Sequence, residues 1–367
     1  MIPLLKVNMP SSAVDAVSEV LNSGFVADGE NVKEFEKMLG EFIGNQNVVT
    51  VHSEANGILL SLFMAGVRPG DEVIASPMAC TASTMPILNL FAQVKWCDVN
   101  QYTGMMDPDE LEHLINNKTK AVLFTHWAGE VAEVQKINDI AHNNGLKVIE
   151  DASEAFGAKF HGKYLGNHDS DYTVYSFGPV RHITTIDGGA IFFKDENECL
   201  KAKDLKRFGI HRETFRDALG EISKNSDIPL QGYNFYMNNV CASIGTQQLK
   251  EAKNILNKYY ENGNFYKNKL SKIEGLTMLE RNEDNQPSYW VFTFLAKKRD
   301  ELLIKLREKG IYASKIHLRN DIYSCYGTGV QSNLEGVKYF SDHVLCIPSG
   351  WWVGEKEQNH IVEIINK

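Results

Sequence analysis

Val148-Ile149-Glu150-Asp151-Ala152-Ser153-Glu154-Ala155-Phe156-Gly157 reads as a short apolar strand that ends in two carboxylates and turns into small residues. A strand with no polar alternation is buried on both faces, as in a parallel sheet covered by helices. Such sheets place ligands at the carboxyl ends of their strands, which puts these acids where chemistry is expected. The bland reading is that they cap the next helix. Outward from this segment the pattern repeats, with strands predicted over 48–51, 72–75, 94–98, 121–125, 147–151, 172–177 and 189–193. Helices lie between most of them. Over 55–65, Ile58, Leu59, Leu62 and Phe63 form one apolar face before Arg68-Pro69-Gly70 stops the helix. Asp107, Pro108, Asp109 and Glu110 supply a cap, a first-turn proline and first-turn acids for another. The fold class is α/β.

Further along the chain the pattern changes. A polar stretch over 217–227 interrupts it, and 240–260 reads as a long helix leaving the sheet. Strands are then predicted over 289–296 and 311–317, with a helix over 299–309 stopped by Gly310. We therefore expect a large domain with an N-terminal arm, 1–240, followed by a connecting helix and a small C-terminal domain, 241–367. Internal repeats and low-complexity tracts are absent.

Composition narrows the function. The 367 residues are 43% hydrophobic and 23% charged, as in a globular protein, and the net charge of −9 argues against nucleic acid as a partner. No run approaches the roughly 20 apolar residues that span a bilayer. Met1-Ile2-Pro3-Leu4-Leu5-Lys6 also lacks a charged start followed by a long apolar stretch, so a cytoplasmic protein without a membrane partner is expected. Cys80, Cys97, Cys199, Cys241, Cys325 and Cys346 are scattered without a C-x-x-C pair, which predicts reduced thiols and no metal site. The Rossmann fingerprint, the P-loop, H-E-x-x-H and G-x-S-x-G are all missing.

Two segments carry the remaining signal. Asp151, at the end of the opening strand, can pair with a protonated ring nitrogen of a cofactor, as acids do in pyridoxal phosphate enzymes. Tyr175-Ser176-Phe177-Gly178-Pro179-Val180-Arg181-His182-Ile183-Thr184-Thr185-Ile186-Asp187-Gly188-Gly189 crowds hydroxyls, two basic groups and glycines between strands. That suits a phosphate and a carbonyl-bearing ligand, or, as bare composition, a polar turn.

Together and in order with Gly24-Phe25-Val26-Ala27-Asp28-Gly29, Arg68-Pro69-Gly70-Asp71-Glu72-Val73, Gly232-Tyr233-Asn234-Phe235-Tyr236-Met237 and Cys346-Ile347-Pro348-Ser349-Gly350-Trp351-Trp352, these segments resemble the DegT/DnrJ/EryC1/StrS family. These are pyridoxal-phosphate sugar aminotransferases. The resemblance implies the aspartate-aminotransferase-like, fold-type I architecture: a large cofactor-binding domain with a mostly parallel sheet, and a smaller α/β C-terminal domain. It further implies pyridoxal 5'-phosphate or pyridoxamine 5'-phosphate as cofactor, a nucleotide-linked keto sugar as substrate and glutamate as amino donor. A homodimer with shared active sites and a role in surface-polysaccharide or unusual-sugar biosynthesis follow from it too. By position, Asp151 matches the acid on the pyridine nitrogen and Ser176 the phosphate-binding serine. Asn234 matches the residue that reaches the phosphate of the neighbouring subunit's cofactor, while Ser53, Glu54, Ala55, Cys80 and Glu154 stand at other cofactor-contacting positions. Lys315-Ile316-His317-Leu318-Arg319-Asn320-Asp321 stands where the family often closes over substrate. His317 and Arg319, two apart on a strand, would share a face and meet sugar hydroxyls or diphosphate, or else form a solvated strand edge.

Against the family pattern, the chain departs at its most reactive position. The S-F-x-x-x-K motif puts the Schiff-base lysine where Arg181 stands. A lysine amine can lose its proton and attack a carbonyl; a guanidinium with a pKa above about 12 can neither do so nor shuttle protons. The family's S-G-T phosphate loop reads Ser53-Glu54-Ala55, which brings in a carboxylate. Like charges about 4 Å apart at an effective dielectric near 20 repel by roughly 4 kcal/mol, so Glu54 turns away from a phosphate or the phosphate does not bind there. Cys80 replaces an aromatic platform, Glu154 a Gln or His, and Tyr236 an Arg. Three readings stay open. Arg181 is an introduced Lys→Arg change in a sugar-modifying enzyme whose Asp151 holds the ring nitrogen and whose nearest base is His182, or the chain is a lysine-less branch like the family's pyridoxamine-phosphate sugar dehydratases, which carry His at the lysine position, where His182, one residue late, substitutes only if the turn rotates it inward. In the third, the fold persists as a module without cofactor chemistry.

Overall fold

The computed structural model describes residues 1–327 and 333–367. Among them, β1 (Val48–Val51), β2 (Glu72–Ala75), β3 (Gln93–Trp96), β4 (Thr119–Thr125) and β5 (Lys147–Asp151) precede a two-residue-per-arm hairpin, β6 (Lys159–Phe160) and β7 (Lys163–Tyr164). β8 (Tyr172–Ser176) and β9 (Gly189–Phe193) follow. The large sheet runs in the order β1-β9-β8-β5-β4-β2-β3. β9 runs against the other six strands, pairing antiparallel with β1 and β8, and β8, β5, β4, β2 and β3 pair in parallel. The sequence reading places these seven strands to within a few residues.

Their composition explains the packing. Ile74, Val122, Phe124, Val148 and Phe192 enter one buried cluster, and Val73, Ala75, Leu123, Ile149, Ile191 and Phe193 enter another. Successive strand residues point to opposite faces, so two cores on one sheet require runs that are apolar at every position. Helices cover both faces, among them Glu54–Met64 against the second core. Asp107 caps the helix Pro108–Leu114 as expected, its side chain accepting from the Asp109 N–H at 3.0 Å.

A smaller antiparallel sheet, β10 (Leu276–Met278), β11 (Phe292–Ala296) and β12 (Val344–Ile347), packs with the helices Arg299–Glu308 and Glu355–Asn366 around a third core. Ile2 bridges Ile311 and joins this core from the chain's start. The long helix is longer than predicted, Asn239–Leu270, because Tyr266 and Leu270 pack into the third core. Gly263 sits in that extension where a Cβ would lie 2.3 Å from the Tyr289 ring. Asn and Gly lower helix propensity there, and tertiary packing overrides it.

The strand predicted over 311–317 does not form. That segment makes single bridges, Ile2 to Ile311 and Ser314 to Cys346, and then turns. The Ile316 N–H bonds the Ser314 hydroxyl at 3.0 Å, and Ile316 has a φ of +63°, unusual for a β-branched residue. Local bonding and this twist replace ladder pairing. The polar 217–227 stretch lies mostly on the surface. No helix among the described residues is long and apolar enough to cross a membrane.

Candidate active site

The sheet's direction gathers the site. β1, β2, β4, β5 and β8 all point the same way, so the segments that follow them converge at one edge. Ser53 and Glu54 follow β1, Cys80 follows β2, and Asp151 and Ser176 close β5 and β8. Arg181 comes from the connection between β8 and β9. Gly189 opens β9 with no side chain, and a Cβ there would lie 2.9 Å from the Glu54 backbone nitrogen. The helix start can therefore sit close against the strand ends.

Of the two carboxylates in the opening strand, only Asp151 faces this edge. Glu150 points to the other side, where His126 Nε2 lies 2.8 Å away and the Thr173 hydroxyl donates at 2.9 Å. Burial opposes its charge, yet the His126 contact holds its carboxyl below the usual range. Asp151 is fully buried and accepts from the Ser83 hydroxyl at 2.5 Å, from the Ser153 N–H at 3.0 Å and from the Ser153 hydroxyl.

Around Asp151 the charges form one buried cluster. Arg181 Nη1 lies 3.5 Å from Glu154 Oε1 and its Nη2 3.7 Å from Glu54 Oε2, while the guanidinium stacks over Trp290 at 4.6 Å. Burial opposes the Arg181 charge, but Glu154, Glu54 and Asp151 outweigh it and hold the guanidinium above its ordinary value. Glu154 also accepts from the Ala128 N–H at 2.9 Å and meets His317 Nε2 at 2.7 Å. Burial works against its ionisation, and His317 with Arg181 overcomes it, keeping the Glu154 carboxyl low. Glu54 behaves oppositely: burial, then repulsion from Asp151, push it up to about 7 despite Arg181. Its partners are Arg181 and the Ser83 hydroxyl at 3.4 Å.

Other residues singled out from the sequence lie around or apart from this cluster. Ser53 caps the helix Glu54–Met64 by accepting from the Asn56 N–H, and Ala55 is that helix's second residue. Cys80 starts the next helix, Thr81–Asn89, and burial pushes its thiol up. His182 turns out of the cluster: Nε2 contacts the Ser288 carbonyl at 3.1 Å, the ring packs on Tyr259, and burial lowers it to about 4. Asn234 lines a surface cavity with His52, Asp187, Tyr236 and Cys241. His317 joins the cluster through Glu154, but Arg319 forks onto Asp321 at 2.7 and 2.6 Å. The two therefore do not share a strand face, because no strand forms there. The loop instead docks over Cys80: the Asn320 N–H donates to the Pro77 carbonyl at 2.8 Å, and its side-chain amide reaches the Cys80 carbonyl at 3.4 Å.

Ser83, Trp290 and the Ala128 N–H escaped the sequence reading, since each arrives from a distant segment. Ser153 was visible, two residues after the acid whose oxygen it holds.

The sequence pattern of the DegT/DnrJ/EryC1/StrS aminotransferase family matches residues 8–366. The chain belongs to that family. It is 30% identical over 315 residues to the GDP-perosamine synthase of Escherichia coli O157:H7, covering 84% of this chain and 82% of that protein. Its fold superimposes on the sugar aminotransferase CalS13 of Micromonospora echinospora with a TM-score of 0.94 and 32% identity, covering 100% and 99% of the two chains. Spr1654 of Streptococcus pneumoniae, solved in a PLP form, shares the fold at a TM-score of 0.89 and 22% identity, covering 100% of this chain and 97% of its own. The α/β architecture is thus that of the fold-type I sugar aminotransferases, whose members use pyridoxal or pyridoxamine phosphate.

This chain's residues suit that cofactor at one end only. Asp151, buried and braced by two hydroxyls, suits a protonated ring nitrogen. At the other end Arg181 has no amine to lose a proton, and the buried Glu54 carboxyl, 3.7 Å from the guanidinium, stands where the family has a glycine. As they stand, the residues do not fit a lysine-anchored, phosphorylated cofactor.

Proposed function

We propose that this chain is a lysine-less sugar aminotransferase homologue that recognises a nucleotide-linked sugar and does not transaminate through a lysine-anchored cofactor. The observation that carries the reading is Arg181, buried and clamped between Glu54 and Glu154. A guanidinium held charged in that way cannot serve as nucleophile or proton shuttle. The sugar ligand is supported by the kind of protein the chain resembles, a GDP-perosamine synthase and a sugar aminotransferase. The reading includes a homodimer in the cytoplasm, with Asn234 of one subunit facing the other's site, and a place in polysaccharide or unusual-sugar biosynthesis. His317 and the loop to Asn320 are the segment we assign to contact with the sugar nucleotide.

The test pairs two measurements on the full chain. Calorimetry with GDP-, UDP- and dTDP-linked sugars should find one that binds. A glutamate-dependent assay with keto sugars of the same nucleotides should yield no amino sugar. Amino-sugar formation by the native chain would overturn the reading, as would failure of every nucleotide sugar to bind. A second reading, non-covalent use of pyridoxamine phosphate, is favoured by one observation, the retained pair of Asp151 and Ser176.

A further inference from the structure

We propose that the Glu54 carboxylate and the Arg181 guanidinium fill the space the family's phosphorylated cofactor uses, so that an internal ion pair keeps this site closed against it. The geometry is that of one buried side chain set between the two ends of the site. Glu54 starts its helix against Gly189, the sheet partner of Ser176, at the end the family resemblance gives to the phosphate. Through Ser83, which also donates to Asp151 at 2.5 Å, it is linked to the end given to the ring. Glu54 is 6% exposed and Arg181 8%, so neither reaches into solvent. Ser53 caps the helix, and Glu54 is its first residue, so an acid already stands in the turn whose dipole favours an anion. Arg181 is sandwiched between Trp290 and the two glutamates and cannot leave without stranding both acids. A dianionic phosphate held by Ser176 would have to displace Glu54 or lie against it.

Together the two substitutions are complementary: the carboxylate that replaces a small residue is neutralised by the cation that replaces the lysine. The inference rests on the reading that the lysine's role is lost, and it fails separately. A native chain that binds the cofactor yet forms no amino sugar overturns the plug and leaves that reading standing.

The probes are pyridoxal phosphate and pyridoxamine phosphate, added to the intact native chain, to Glu54→Gln and to the double variant Glu54→Gly with Arg181→Lys. Binding is read by calorimetry, the visible absorption band and, after borohydride reduction, peptide mapping at position 181. At about pH 8, where Glu54 is ionised, we expect the native chain to bind roughly 1,000-fold more weakly than the double variant, with a visible band in the double variant alone. Glu54→Gln keeps the side chain's shape and removes its charge. It should gain affinity for pyridoxamine phosphate, which needs no lysine, and it decides the matter if the double variant does not fold. Native binding as tight as that of the variants, or no gain in either variant, overturns the proposal.

Discussion

Replacing Arg181 with Gln removes a cation held 3.5 Å from Glu154 and 3.7 Å from Glu54. At an effective dielectric near 20, each contact is a gross attraction of about 4–5 kcal/mol, most of which offsets the cost of burying the ions. What the variant loses is the compensation for two buried carboxylates, a change that typically costs about 3–5 kcal/mol. The loss depends on pH because Glu54 already titrates at about 7. Without the guanidinium its carboxyl moves further up, so at about pH 6 it enters the variant's fold neutral and costs less. We expect Arg181→Gln to lose about 3–5 kcal/mol at about pH 8 and clearly less at about pH 6, with Arg181→Lys losing less than Gln at both. Urea unfolding followed by tryptophan fluorescence measures this, and Trp290, stacked on the guanidinium, reports locally. A Gln variant as stable as the native chain, or one whose loss is the same at both pH values, would refute the ionised cluster.

Two buried groups should nearly cancel in the native pH profile. The folded chain keeps the Glu54 proton between pH 4.5 and about 7, so that stabilisation is present below 4.5 and lost as the pH rises through 7. His182 runs the other way, its ring lowered from 6.5 to about 4, so its contribution is full above 6.5 and lost as the pH falls. Each is worth about 3 kcal/mol. Glu54→Gln should therefore expose a stability that climbs with pH over this window, and His182→Gln one that declines; two flat melting profiles would contradict both assignments. Gly263→Ala drives a methyl into the Tyr289 ring and should cost about 1–3 kcal/mol, read from the urea midpoint. Cys325, exposed among six free cysteines, should be the first thiol alkylated in the native protein, and Cys97 and Cys346, buried with raised thiols, the last. Peptide mapping after a timed alkylation gives the order.

Much of this molecule was legible from local pattern. Strands such as Lys147–Asp151 and Gly189–Phe193 showed themselves because both cores demand apolar residues at every position, and the Asp107 cap because its signal is four residues long. Family membership was legible too, since separate motifs fell in order. The loss of the lysine amine needed no structure, because the pKa of a guanidinium is intrinsic to the residue. The long helix and the 314–320 loop were not legible. The first is extended by packing against Tyr289 and the third core, and the second is shaped by single bonds from Ser314 and Asn320. Only the tertiary structure decided what Arg181 and Glu54 do instead. Neighbouring positions in sequence, Arg181 and His182, part into different environments, while Glu54, Ser83, Glu154 and His317 come together from four distant segments. Sequence spacing carries the chemistry of each residue, but a charge is stabilised by whatever surrounds it in space, and that is set by how the strand ends converge.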